Sequence, residues 1–189
     1  SHPYNEMEWP IVRRIIHSTA DFDFARENKL LFHKDAISNG INALKNGRSI
    51  VADVNGVIGL MNKQNPKDFG NSMICNISDP SLMESAKKAG KTRAQMSMRV
   101  AEKEIDGGIV VVGNAPTALL EVMEMFREGL VKPALVVGMP VGFVSAVESK
   151  DELSKTEIPF ITNIGRKGGS PCASAIINAL YKLLRQGNN

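Results

Sequence analysis

Two apolar runs, each breaking at once into a glycine- and proline-punctuated turn that opens a helix, constrain this chain more than any other feature. Gly108–Val112 runs into Gly113-Asn114-Ala115-Pro116-Thr117-Ala118-Leu119, and Ala134–Val137 runs into Gly138-Met139-Pro140-Val141-Gly142-Phe143. Short β-branched runs bounded by Gly and Pro and followed by helical patterns are the strands of βαβ units. In an open α/β sheet, small molecules bind outside the carboxyl ends of the strands. Glycine there lets backbone approach a ligand closely, and neither turn carries a charge. The two turns therefore outline a ligand crevice.

Strand-like and helix-like runs alternate through the rest of the chain. Helices are expected over Glu6–His17, Asp35–Asn46, Pro80–Ala89, Thr92–Ile105, Thr117–Gly129 and Pro171–Arg185, with a short helical piece after Asn55. Strands are expected over Ser49–Asp53, Ser72–Ile77, Gly108–Val112, Ala134–Val137 and Phe160–Asn163, and Asn62–Asn71 reads as loop. Leu119, Met123, Phe126 and Leu130 fall on one helical face, and Asp79-Pro80 and Ser170-Pro171 read as helix starts. The pattern predicts one α/β domain over residues 1–189, a three-layer α/β/α arrangement around a mostly parallel, doubly wound sheet of about five strands.

Composition excludes several classes of function. A net charge of +3 with one tryptophan and two tyrosines gives no basic, aromatic-interleaved patch for nucleic acid. Cys75 and Cys172 lie far apart without a CxxC and read as reduced core thiols. With the histidines they show no metal-ligand spacing, so no metal is expected. The longest uncharged stretch, between Pro133 and Glu148, is broken by Gly138, Pro140 and Gly142. It is a strand–turn–helix unit and not a membrane span. The polar, acidic N-terminus is unlike a signal peptide and reads as that of a cytoplasmic protein.

His17 is the leading candidate for chemistry, because an imidazole with a pKa near ~6.5 exchanges protons around neutrality. Ser18, Thr19 or Asp21 could orient its ring; the alternative is a half-buried histidine bonded to backbone. His33 reads as a surface or rim residue. In Gly165-Arg166-Lys167-Gly168-Gly169-Ser170, two glycines ahead of a helix start leave N–H groups free for an anion. Arg166 and Lys167 add cations that could hold carboxylates, unless the segment is a solvated turn. Thr92-Arg93 opens a helix with a cation where the dipole disfavours one, which an anionic ligand or a nearby carboxylate would explain. Asn114 and Thr117 could contact substrate or cap the helix that Pro116 begins. Asp53 is placed like a ligand residue or the cap of the helix after it, and Glu148 reads as holding its turn together. No GxGxxG fingerprint, Walker loop or methyl-donor motif is present, so no cofactor is expected. The Gly138–Gly142 spacing is wrong for the pyrophosphate loop of a Rossmann oxidoreductase or methyltransferase.

Four ordered segments resemble the precorrin-8X methylmutase family of cobalamin biosynthesis: Ile15-Ile16-His17-Ser18, Gly113–Leu119, Pro133–Lys150 and Gly165–Ser170. The resemblance implies an isomerase that moves a methyl group from C-11 to C-12 of precorrin-8X or cobalt-precorrin-8, giving hydrogenobyrinate or cobyrinate. The shift is internal, with no net redox change and no external methyl donor. It also implies His17 as the catalytic residue, protonating or hydrogen-bonding a ring nitrogen. Arg93, Thr92, Arg166, Lys167 and the Gly168, Gly169 and Ser170 amides would hold the carboxylate-rich rim of the tetrapyrrole-derived macrocycle. Asn114, Thr117 and the apolar turn around Gly142 would lie against the ring. A homodimer with its site between subunits is implied, as is a further segment ahead of the histidine helix. The family often carries an arginine where this chain has Ile164. A non-catalytic corrinoid-binding or carrier protein of the same fold is the alternative, and turnover alone separates the two.

Overall fold

The computed structural model describes residues 1–26 and 29–187. Its helices are α1 (Glu8–Thr19), α2 (Ala36–Lys45), α3 (Asn55–Leu60), α4 (Gln64–Phe69), α5 (Ser81–Ala89), α6 (Arg93–Arg99), α7 (Glu102–Ile105), α8 (Pro116–Arg127), α9 (Ala146–Ser154) and α10 (Ser170–Gly187). The strands are β1 (Leu30–Phe32), β2 (Ile50–Ala52), β3 (Met73–Ile74), β4 (Ile109–Val112), β5 (Leu135–Gly138) and β6 (Phe160–Asn163). They form one six-stranded sheet in the order β1-β6-β5-β4-β2-β3. Every neighbouring pair is parallel except β1 with β6.

The central strands β2, β4 and β5 are apolar throughout because both faces of the sheet are covered. Alternation assigns Ile109, Val111, Leu135, Val137 and Ile161 to a core with α1, α2 and α10. Val110, Val112, Val136 and Phe160 face the opposite core, with α6 and α8. Helices thus lie on both sides of a mostly parallel sheet, as the alternating pattern predicts.

Several sequence expectations need correction. The sheet has a sixth strand, β1, unforeseen because it is three residues long and pairs antiparallel at an edge. The region 62–71, read as loop, contains α4, and the expected strand Ser72–Ile77 pairs only at Met73–Ile74. The stripe over Thr92–Ile105 divides into α6 and α7, with non-helical geometry at Ala101. The first helix begins and ends two residues later than Glu6–His17. Leu130, expected on the buried face of α8, lies beyond its end and is exposed.

The connectivity places one crevice. From β2 the chain moves outward to β3, then returns past β2 to β4 and continues the other way through β5 and β6. The strand order reverses between β2 and β4, and at such a switch point the flanking loops part outside the carboxyl ends.

Candidate active site

Asp53 follows β2 at this switch point and is fully buried. Its carboxylate accepts from the N–H of Gly113 (2.8 Å), Asn114 (2.9 Å) and Ala115 (2.7 Å), the turn after β4. Burial pushes its carboxyl above the ordinary carboxylate range, opposed by the three amides that favour the charged form. Asp53 does not cap α3; it pins the next loop across the crevice.

The beginning of α10 packs against that loop. A Cβ added at Gly113 would lie 2.6 Å from Val57 Cγ2 and 3.0 Å from Ser170 Cα, and one at Gly56 3.3 Å from Ser170 Oγ. Two glycines thus let the Gly165–Ser170 segment settle beside the β4 turn. Its other neighbour is the β5–α9 turn, where the Met139 carbonyl accepts from Gly169 N–H at 2.8 Å. A Cβ at Gly168 would meet the Met139 carbonyl oxygen at 2.5 Å.

The β5–α9 turn presents apolar surface at the same edge. Phe143 is 86% exposed and Val144 82%. Gly142 adopts φ +130°, a conformation side chains rarely tolerate, and lets the loop swing out. The Arg166 guanidinium sits 5.3 Å from the Phe143 ring centroid, so a cation and an aromatic face share this rim.

His17 occupies the last turn of α1 and is exposed. The expected ring partners are mostly engaged elsewhere: Thr19 Oγ1 donates to the Ile15 carbonyl at 2.8 Å, and Asp21 Oδ2 receives Lys167 Nζ at 2.6 Å. Lys167 also donates to Asp23 Oδ2 at 2.7 Å. Both aspartates are drawn below their ordinary values by this lysine, first through its hydrogen bond. The link ties the segment after α1 to the loop before α10, bringing His17 and Gly165–Ser170 to neighbouring parts of the molecule. His17 further lines a groove of about 320 Å³ between α1 and α10, with Arg13, Arg14 and Lys182 around it.

Other candidates serve locally. Thr92 caps α6 in a reciprocal box with Gln95 (3.1 and 2.8 Å), and Arg93 is exposed without an ion pair among the described residues. No hydrogen bond among the described residues joins this pair to the other candidates. Asn114 is exposed and Thr117 half-buried at the start of α8. His33 Nδ1 accepts from Asp35 N–H at 3.1 Å ahead of α2, and Glu148 is exposed on α9. Both cysteines are free thiols, Cys172 buried and Cys75 half-buried. Among the described residues, no three His, Cys, Asp or Glu side chains gather as a metal site. No described helix is long and apolar enough to cross a membrane.

Sequence reasoning passed over Lys150. It is only 1% exposed, on α9, with Nζ 2.7 Å from the Lys167 carbonyl and 3.2 Å from Asn163 Oδ1. Its place in the quoted Pro133–Lys150 segment was the available signal, but burial of a lysine is not readable from spacing.

Comparison with known proteins decides what kind of crevice this is. The family model described as precorrin-8X methylmutase matches residues 1–183. The chain belongs to the precorrin-8X methylmutase family. A cobalt-precorrin-8 methylmutase from Priestia megaterium is 52% identical over 98% of this chain and 82% of its own length. A precorrin-8X methylmutase from a Sinorhizobium species is 37% identical over 95% of this chain and 85% of its own length. The crystal structure of precorrin-8X methylmutase from Thermus thermophilus superposes with a TM-score of 0.92 at 39% identity, covering 99% of this chain and 89% of that one. Relatives this similar across nearly the whole chain make the family's α/β fold and its isomerase activity the frame for this site.

Proposed function

We propose that this chain catalyses the migration of a methyl group from C-11 to C-12 on precorrin-8X or cobalt-precorrin-8, yielding hydrogenobyrinate or cobyrinate in cobalamin biosynthesis. The observation that carries this reading is the family match over residues 1–183. The open carboxyl edge of the sheet supports it, since a large flat ring needs an apolar face and a cationic rim. Phe143 and Val144 supply the face, and Arg166 and Arg93, without ion pairs among the described residues, take carboxylates of the ring's periphery. Lys167 joins them by exchanging one aspartate for a substrate carboxylate. The Gly168 N–H, without an acceptor among the described residues, adds a neutral donor, whereas the Gly169 N–H expected beside it is held by the Met139 carbonyl.

His17 acts as the general acid, giving a proton or a hydrogen bond to a ring nitrogen beside the migrating methyl. Its exposure in a single chain agrees with a site completed by a second subunit, so the working unit is a homodimer. Asn114, Thr117 and Gly142 flank the ring.

The test is anaerobic mixing with metal-free precorrin-8X and with cobalt-precorrin-8 while the visible spectrum is followed. A time-dependent change with isosbestic points, from at least one form, is the expected result. His17→Ala should abolish turnover while still binding hydrogenobyrinate. An immediate stoichiometric shift with no further change in the unaltered protein would identify a corrinoid carrier. Near-normal turnover by His17→Ala would remove the assigned role.

A further inference from the structure

Lys150 is a buried cation that meets no carboxylate among the described residues. Its two acceptors are neutral, the Lys167 carbonyl and the Asn163 side-chain oxygen. Asn163 Nδ2 donates to the same Lys167 carbonyl at 2.8 Å, so one peptide oxygen receives two largely buried donors. A carbonyl held this way has a fixed direction. In a trans peptide the following N–H points the opposite way, and no cis bond occurs among the described residues. The Gly168 N–H is thereby turned away from Lys150. It has no acceptor among the described residues, whereas the neighbouring Gly169 N–H is taken by Met139.

An isolated charge in a protein interior is unfavourable unless something of opposite sign is brought to it. We propose that Lys150 is a positioning residue for substrate: its ammonium aims the Gly168 N–H at a carboxylate of the macrocycle and takes its counter-charge from that carboxylate. This rests on reading Gly165–Ser170 as the carboxylate-holding loop.

Burial brings the Lys150 ammonium down to about 8. Above that pH the free protein loses this proton, and a carboxylate docked over the loop draws it back. Two titratable neighbours are shifted away from this window. Cys172 on α10 is pushed up to about 11, first by burial, and Lys167 is raised by Asp21 and Asp23. Glu124 of α8 and Glu152 of α9 both pair with Arg127. On β6, Asn163 is neutral.

Hydrogenobyrinate binding is measured by calorimetry between pH 7 and 9.5, in two buffers of different ionisation enthalpy, alongside turnover. The unaltered protein should bind more weakly as pH rises above about 8, taking up as much as one proton per site. Lys150→Met should weaken binding and raise KM by about tenfold or more, with the loss falling on KM rather than kcat, and should show no such proton uptake. Absence of proton uptake by the unaltered protein at pH 8.5 overturns the proposal without need of any variant. So does a Lys150→Met protein with unchanged affinity and pH profile. Failure of both substrates to turn over, with proton-linked product binding intact, overturns the isomerase reading and leaves Lys150 in its role.

Discussion

Asp53 shows how one side chain organises a site by holding backbone. A carboxylate is acceptor-only, and three amides of the β4 turn converge on it from some 60 positions away in sequence. An asparagine of the same shape must turn its NH₂ toward one of those N–H groups, setting donor against donor. Asp53→Asn should therefore lower stability by about 1–3 kcal/mol, read by denaturant unfolding, and loosen substrate binding by releasing the turn. Wild-type stability in that variant would mean the turn holds itself. The sequence marked Asp53 as belonging to the strand's carboxyl end. It could not say which backbone the carboxylate serves, because the partner lies on a strand adjacent only through the fold. Lys150 is the same case with opposite charge.

Among the elements, legibility followed length and periodicity. α10 and α8 announce themselves by repeated apolar faces, and β4 and β5 by valine runs ending at glycine. β1 is three residues of ordinary apolar sequence, and β3 pairs over two. Neither is long enough for a pattern. α4 is hidden because Asn, Lys and Pro dominate its sequence; Pro66 sits in its first turn, where a missing N–H costs nothing. The division of α6 from α7 was likewise invisible, since the apolar stripe continues across it. Close approach of elements was legible only as glycine. At Gly113 a methyl group would meet the backbone of α10 at 3.0 Å and Val57 at 2.6 Å, contacts that flexible side chains cannot relieve. Gly113→Ala should displace the start of α10, lowering the melting temperature and raising KM together. A variant with unchanged melting temperature and KM would show that α10 can shift freely at this junction.

Taken as a whole, the described residues leave their two most exposed large apolar side chains at the carboxyl edge of the sheet, where Phe143 and Val144 stand in solvent in a single chain. Exposed aromatic surface beside arginine is the composition of an interface core as much as of a ring-binding face. Gel filtration should accordingly give about twice the 20.5 kDa chain mass, and a single-chain elution at micromolar concentration would count against a shared site. The sheet class, its parallel sense and the crevice edge were readable in advance because both faces of the sheet demand unbroken apolar strands. What joins distant segments at that edge was not. The packing of α1 on α10, and the pairing of β1 with β6, set the order in which the protein can be made. His17 precedes every strand of the sheet, the helix that α1 packs on follows them all, and β1 finds its neighbour only at β6. A chain leaving the ribosome can therefore build the middle of its sheet long before it has an active centre. Closing α1 and β1 onto α10 and β6 is the slow, long-range step that topology imposes on folding.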